Sequence, residues 1–274
     1  MKKFGVVALV LVSSACTFLD SARNGAENRA GQNVGERIVG NAGSGGSGGA
    51  PGAQSASYGS GGGAGGGMSA ATMPPAVMNL YMSTIFNYAF TPGGYDIGQA
   101  PYAVGQYTRF TGKGDGGKGI TVERAHLFDD AQGRQWWKVK FTDDSGKTTI
   151  LEGLLDPQQQ KFVRMRAKFP DDAAGNELPV DQQSYYHPAQ KLSPESVQGA
   201  TRGTESVSVP AGTFSAKHVV FGGYDGSHEW WIDGKVPGGA VKQLMSSPKS
   251  DKARWEMVLD AYGSGAQSEL GTTR

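Results

Sequence analysis

The chain has 274 residues, and 26 Lys and Arg against 25 Asp and Glu leave a formal net charge of +1. That balance excludes the strongly basic surface on which nucleic-acid binders depend, and it supplies no global drive toward a membrane surface. With one cysteine in the chain, an intramolecular disulfide and a cysteine-ligated metal centre are also excluded. A folded domain must therefore be held by apolar burial and backbone pairing.

Lys2 and Lys3 precede an apolar run from Phe4 to Val12, and Ser13, Ser14 and Ala15 follow it. Charged, apolar and small residues in that order form a secretory signal, with an apolar core far short of the roughly 20 residues of a membrane span. Cys16 stands directly after the small residues. An ordinary signal cut after Ala15 would leave a free thiol there. The segment also resembles the bacterial lipoprotein signal, which implies loss of residues 1–15, lipidation of Cys16 and attachment through several acyl chains. Thr17 stands where, in such signals, aspartate favours the inner membrane, so the resemblance implies the outer membrane.

Residues 16–40 form a polar tether in which Ala22, Ala26, Ala30, Val34 and Ile38 recur at four-residue steps. That period suits one face of a helix, but interspersed glycines weaken it by about 1 kcal/mol each, so a disordered tether and a docking helix both remain open. Residues 41–73 are a Gly/Ser-rich linker, with 13 glycines in positions 43–67. Such a segment buries too little to offset its ordering entropy. Tether and linker together give a mean reach on the order of 40 Å.

Residues 74–262 read as one β-rich domain. Met78, Tyr81, Met82 and Ile85 recur at helical spacing within Pro75–Phe90, and Pro92, Gly93 and Gly94 stop the run. Strands follow over Gln106–Gly112, Thr121–Asp129, Gln135–Thr142, Thr148–Asp156 and Phe162–Phe169. Short polar turns between them predict an antiparallel meander. Trp137, Val139 and Phe141 alternate with Trp136, Lys138 and Lys140, and Val163, Met165, Ala167 and Phe169 with Arg164, Arg166 and Lys168. Residues 170–200 look irregular. A second group of strands spans Thr204–Val209, Phe214–Phe221, Ser227–Ile232 and Arg254–Tyr262, with Ala240–Met245 read as one or two helical turns. Residues 263–274 are polar and read as a disordered tail. The expected fold is mainly β: a curved antiparallel sheet, open or a partial barrel, with the amphipathic helix packed on it.

No pattern here specifies an enzyme. His126, His187, His218 and His228 lack metal-ligand spacing, and no nucleophile elbow or phosphate loop is present. His218, His228 and Glu229 are the local acid/base candidates, across a hairpin turned at Asp225–Gly226. Each tryptophan pair, Trp136–Trp137 and Trp230–Trp231, places one indole on each face of a strand. Trp136 and Trp230, with Met78, Tyr81, Met82 and Ile85, are the candidate ligand groove; the alternative is that the indoles are covered structurally. Lys138, Lys140, Arg164, Arg166 and Lys168 form a candidate anion patch, or a solvated face countered by acids such as Glu152. No metal site and no cofactor are expected.

Val209-Pro-Ala-Gly-Thr-Phe214, Glu229-Trp-Trp-Ile232 and Val236-Pro-Gly-Gly239, with Phe90-Thr-Pro-Gly-Gly-Tyr95, resemble a pattern in uncharacterised bacterial envelope lipoproteins. The expected plan is also similar to the half-barrels of periplasmic lipoprotein carriers. These likenesses imply an outer-membrane lipoprotein facing the periplasm, anchored by lipid and without a nucleic-acid partner. Its β domain is expected to be a non-enzymatic module for an apolar or amphipathic ligand such as a lipid or glycolipid. A scaffold for an envelope protein partner, or a hydrolase, are the alternatives.

Overall fold

A computed structural model describes residues 86, 95–97, 100–114, 119–180, 190–223, 226–247 and 250–273, all within the compact unit Met68–Arg274. The signal, Cys16, the tether, the linker and the candidate groove residues Met78, Tyr81, Met82 and Ile85 lie outside the described residues. Of the expected Pro75–Phe90 helix only Phe86 is described. It is helical and buried, with its ring 4.8 Å from that of Phe162.

Eleven strands form one antiparallel sheet. A first meander runs through β2 (Tyr107–Gly114), β3 (Gly119–Asp129), β4 (Gln135–Asp143), β5 (Thr148–Asp156), β6 (Lys161–Lys168) and β7 (Asn176–Leu178). A second runs through β9 (Thr201–Val209), β10 (Gly212–Gly223), β11 (Gly226–Ile232), β12 (Ala240–Ser247) and β13 (Ser250–Gly263). The ladder between β13 and β2 joins them, so the order is β7-β6-β5-β4-β3-β2-β13-β12-β11-β10-β9. A short parallel pair, β1 (Tyr95–Asp96) with β8 (Gln190–Lys191), stands apart. Helix α1 (Pro194–Ala200) follows it, capped by the Ser193 hydroxyl, which accepts from Ser196 N at 3.2 Å.

Turn chemistry explains the first meander. In each of three successive hairpins an aspartate closes the loop: Asp130 accepts from Gln132 and Arg134, Asp143 from Ser145 and Lys147, and Asp156 from Gln158 and Gln159. These side chains mimic a backbone turn. In the second meander, Gly238 and Gly239 both have φ of +72°, a conformation that favours glycine. Gly238 N donates to Ala100 O at 2.8 Å. A Cβ on Gly238 would stand 2.7 Å from the Tyr102 ring, so the Val236-Pro-Gly-Gly239 turn is shaped to seat that tyrosine.

The far end of the sheet bends back on itself. Ala211 N, in the β9–β10 turn, donates to Leu259 O of β13 at 3.2 Å, and the Phe214 and Tyr262 rings lie 6.0 Å apart. In a flat sheet the three intervening ladders would hold β10 and β13 about 14 Å apart.

We call the side carrying Phe110, Val139 and Met257 the inner face, and the side carrying Trp136, Lys138 and Glu152 the outer face. The largest core cluster joins inner-face residues of β2–β6, β12 and β13 with Phe86. The alternation read in β4 holds. In β6 it breaks at one point, because a bulge between Leu154 and Leu155 moves Val163 to the Trp136 cluster.

Three expectations are corrected here. Ala240–Met245 is a strand, because flanking ladders to β11 and β13 override its local pattern. Residues 170–200 contain β7, β8 and α1. Residues 263–273 are tied to the outer face by hydrogen bonds to the buried Glu152, a partner distant in sequence.

Gly153 lies under both rings of the Phe86–Phe162 pair: a Cβ there would be 2.8 Å from Phe162 and 3.3 Å from Phe86. Gly153→Ala should lower stability by about 1–3 kcal/mol through overpacking, read as an earlier urea midpoint with an unchanged slope.

Candidate functional site

Of the candidate groove residues, Trp136 and Trp230 are described, and they lie on opposite faces of the sheet. Register places Trp136 beside Leu154 on the outer face. Trp230 pairs with Gln243, and Gln243 with Met257, on the inner face. Both indoles are buried, at 2% exposure each, but the sheet separates them.

The cation stripe is largely neutralised. Lys138 bonds Glu123 at 3.0 Å and Glu269 at 2.8 Å, and Lys140 bonds Glu269 at 2.7 Å. Burial works against the Lys138 charge, but the bonds to Glu269 and Glu123 outweigh it and hold its pKa above the ordinary value. Arg164 forks onto Glu177 at 2.8 and 2.9 Å and covers the Trp136 ring. Arg166 reaches Glu177 and the Leu270 carbonyl. Lys168, half-buried, pairs in register with Ile150. A stripe matched in this way is not the open anion patch expected.

Of the acid/base candidates, His218 and Glu229 meet on the outer face and His228 stands apart on the inner one. His218 sits on the outer face, stacked on Trp231 at 4.3 Å, with Nε2 at 2.9 Å from Glu229 and Nδ1 at 3.5 Å from Glu205. Lys242 covers the other partner of that stack, 4.9 Å from the Trp231 ring. His228 lies on the inner face, its ring 5.6 Å from Trp230. Among the described residues no cluster of His, Cys, Asp and Glu is arranged to hold a metal.

Some polar groups buried on the inner face bond within the chain. His126 Nε2 meets Asp129 at 2.8 Å while its ring stacks on Trp137 at 4.4 Å. The Tyr102 hydroxyl bonds Thr108, and burial raises the Tyr102 pKa against the opposing pull of Arg124. Gln243 differs. It is 2% exposed, and neither Oε1 nor Nε2 has a hydrogen-bond partner. Trp255 Nε1 is buried and unbonded as well. An unsatisfied buried polar group costs about 1–3 kcal/mol, so it needs a reason.

The surroundings of Gln243 are specific. Trp230 and Met257 flank it in register, and Met245, two residues along β12, pairs with Trp255 and His228. Trp255 lies across Gly112 and Gly114, where a Cβ would stand 2.7 and 2.8 Å from its ring. The two glycines form a bare floor because they occupy alternate positions on one face. His228 is pushed below its ordinary pKa by burial, which favours neutral imidazole. Indoles and methionines therefore flank the Gln243 amide in register, and Trp255 Nε1 is a second open donor on the same face.

Trp255 and Gln243 escaped the sequence reading. A polar residue at a core position between Val241 and Met245 was the available signal, hidden once Ala240–Met245 was read as helical. Two open clefts lie elsewhere, neither lined by Trp or Met. One, of about 500 Å³, runs beside Leu127, Phe128 and Ala266. The other, of about 460 Å³, lies at α1 beside Ile97 and Lys217.

No family model matches the sequence, and no curated protein does. Among solved structures, the chain is distantly similar to an exported protein with a YmcC-like fold from Bacteroides fragilis. Identity is 13%, the match covers 61% of this chain and 99% of the other, and the TM-score is 0.33. It is also distantly similar to MucB, at 14% identity, over 71% of this chain and 63% of MucB, with a TM-score of 0.35. The MucA/MucB complex of Pseudomonas aeruginosa gives 14% identity over 61% of this chain and 55% of that one, with a TM-score of 0.35. Likeness at this level assigns no activity.

The lowered pKa of half-buried His228 has a measurable consequence. Its folded pKa lies below the ordinary 6.5, so the unfolded chain binds the proton more readily. This contribution to stability is present above that value and is lost as pH falls toward the folded pKa. Urea titrations at stepped pH should show that loss in the wild type and a flatter profile in His228→Asn.

Proposed function

We propose that this chain is a lipid-anchored envelope protein whose β domain is a non-enzymatic binding module for an amphipathic ligand. The observation that supports this reading is the buried, unbonded amide of Gln243 within a wall of Trp230, Trp255, Met245 and Met257. A leucine would fill that position without the desolvation penalty. An amide kept there at a cost of about 1–3 kcal/mol suits a ligand group that completes its hydrogen bonds. An acyl chain or similar apolar body fits the aromatic and thioether wall, and a carbonyl or hydroxyl of a lipid or glycolipid fits the amide. In this reading the Pro75–Phe90 helix covers the inner face of a curved half-barrel, a placement that the burial of Phe86 supports.

The leader order of Lys2 and Lys3, the apolar run, the small residues and Cys16 supports the anchor. In this proposal Cys16 carries the lipid at the outer membrane, and residues 16–73 give the domain its reach into the periplasm.

A second reading, a protein partner, is favoured by β9. This strand ends the sheet and is mostly exposed over its nine residues. Its free edge offers backbone groups to an added strand.

Gln243→Leu separates a ligand site from a packing accident. The full chain, purified from a bacterial envelope, should carry a stoichiometric lipid in native mass spectrometry and bind a dansyl-labelled fatty acid. Gln243→Leu should lose both while gaining about 1–3 kcal/mol of stability. A clean apo mass together with undiminished probe binding by Gln243→Leu would sink the proposal.

A further inference from the structure

The segment after β13 is held by the outer face as a ligand is held by a receptor. Glu152, fully buried, accepts from four donors of this segment alone: Ser268 Oγ at 2.8 Å, Glu269 N at 2.8 Å, Leu270 N at 3.2 Å and Thr272 Oγ1 at 2.7 Å. Its strand neighbours are cations, Lys138 on one side and Arg166 on the other. Lys138 and Lys140 take the Glu269 carboxylate, and Arg166 takes the Leu270 carbonyl. The Leu270 side chain, 6% exposed, fits against Gly175, where a Cβ would come within 3.0 Å of it.

The segment is a turn: Ser268 Oγ accepts from Leu270 N at 3.2 Å and from Thr272 N at 2.7 Å, and Gly271 has φ of +72°. Main-chain N–H groups are read by a carboxylate, an acidic side chain by two ammonium groups, a carbonyl by a guanidinium and a leucine by a glycine notch. Upstream the fit is looser. Ala266 packs beside Leu127 and Phe128, and the open cleft of about 500 Å³ runs along that contact. A larger apolar residue than Ala266 has room there.

We infer that the outer face over β3–β6 is a docking site for an acidic, turn-forming peptide, which residues 266–272 occupy in cis. An external peptide with the same acidic residue and leucine, and a bulkier residue in place of Ala266, would displace the chain's own segment. Two cations of the stripe read in the sequence, Lys138 and Lys140, then serve a peptide carboxylate, not a lipid headgroup.

A protease site inserted between the exposed Ser264 and Gly265 lets the full chain fold first and be cut afterwards. Excess fluorescein-labelled peptide of residues 265–273 should then replace the cut segment, followed by anisotropy and native mass spectrometry. Ala266→Leu in the peptide should tighten binding several-fold, and Glu269→Lys in the peptide should weaken it at least tenfold. Glu152→Gln in the cut chain should weaken it to a similar degree. Because the peptide variants leave the receptor untouched, a misfolded Glu152→Gln chain does not decide the outcome. Loss of β-sheet circular dichroism when the segment leaves, or failure of the labelled peptide to enter, would overturn the inference.

Discussion

The ladder between β2 and β13 is the constraint on which the rest depends. Each meander is made of hairpins between sequence neighbours, whereas this pairing joins residues about 150 positions apart. The Arg109–Asp260 bond, 2.7 Å long across a separation of 151 residues, lies on it. Without the ladder there would be two smaller sheets, each with two edges. With it, Phe110 pairs with Leu259 and Gly112 with Met257, and the inner-face core continues from one meander into the other. A bulge between Leu259 and Ala261 breaks the register there, and the Leu259 carbonyl receives the Ala211 amide of the returning hairpin. Bulges increase local twist and re-aim a strand.

The two faces of this sheet solve burial differently. On the outer face Lys138, Lys140, Arg164 and Arg166 each meet a carboxylate, and the segment after β13 supplies Glu269 to the first two and four neutral donors to Glu152. Removing one member of such a buried network leaves its partners exposed to a low-dielectric interior without compensation, so the network stands or falls together. The inner face is mainly apolar, with a satisfied cluster around Tyr102 and His126 at one end and the open amide of Gln243 at the other. The first cluster fixes geometry, because its bonds are made within the chain. The second leaves bonding capacity unspent.

Much of the strand layout was legible because it rests on local chemistry. Asp130, Asp143 and Asp156 close their own hairpins, and the alternation of Trp137, Val139 and Phe141 assigns a face within one strand. What stayed hidden depends on partners far away in sequence. Trp136 and Trp230 look equivalent as halves of Trp-Trp pairs, yet parity carried through five ladders decides that they face opposite ways. Ala240–Met245 carries Lys, Gln, Leu and Met, which suit a helix, and only flanking strands make it β. The polar residues after Gly263 show no apolar period, and nothing local reveals that Glu152 waits for their amides.

The closing ladder also sets an order of events in biogenesis. A chain made or threaded from its N-terminal side exposes β2 long before β13 exists. Until then β2 has only β3 beside it, and the first meander keeps an open edge. The domain therefore cannot complete its sheet until its last long strand is available, and the final pairing, which links the most distant parts of the fold, sets the pace of folding.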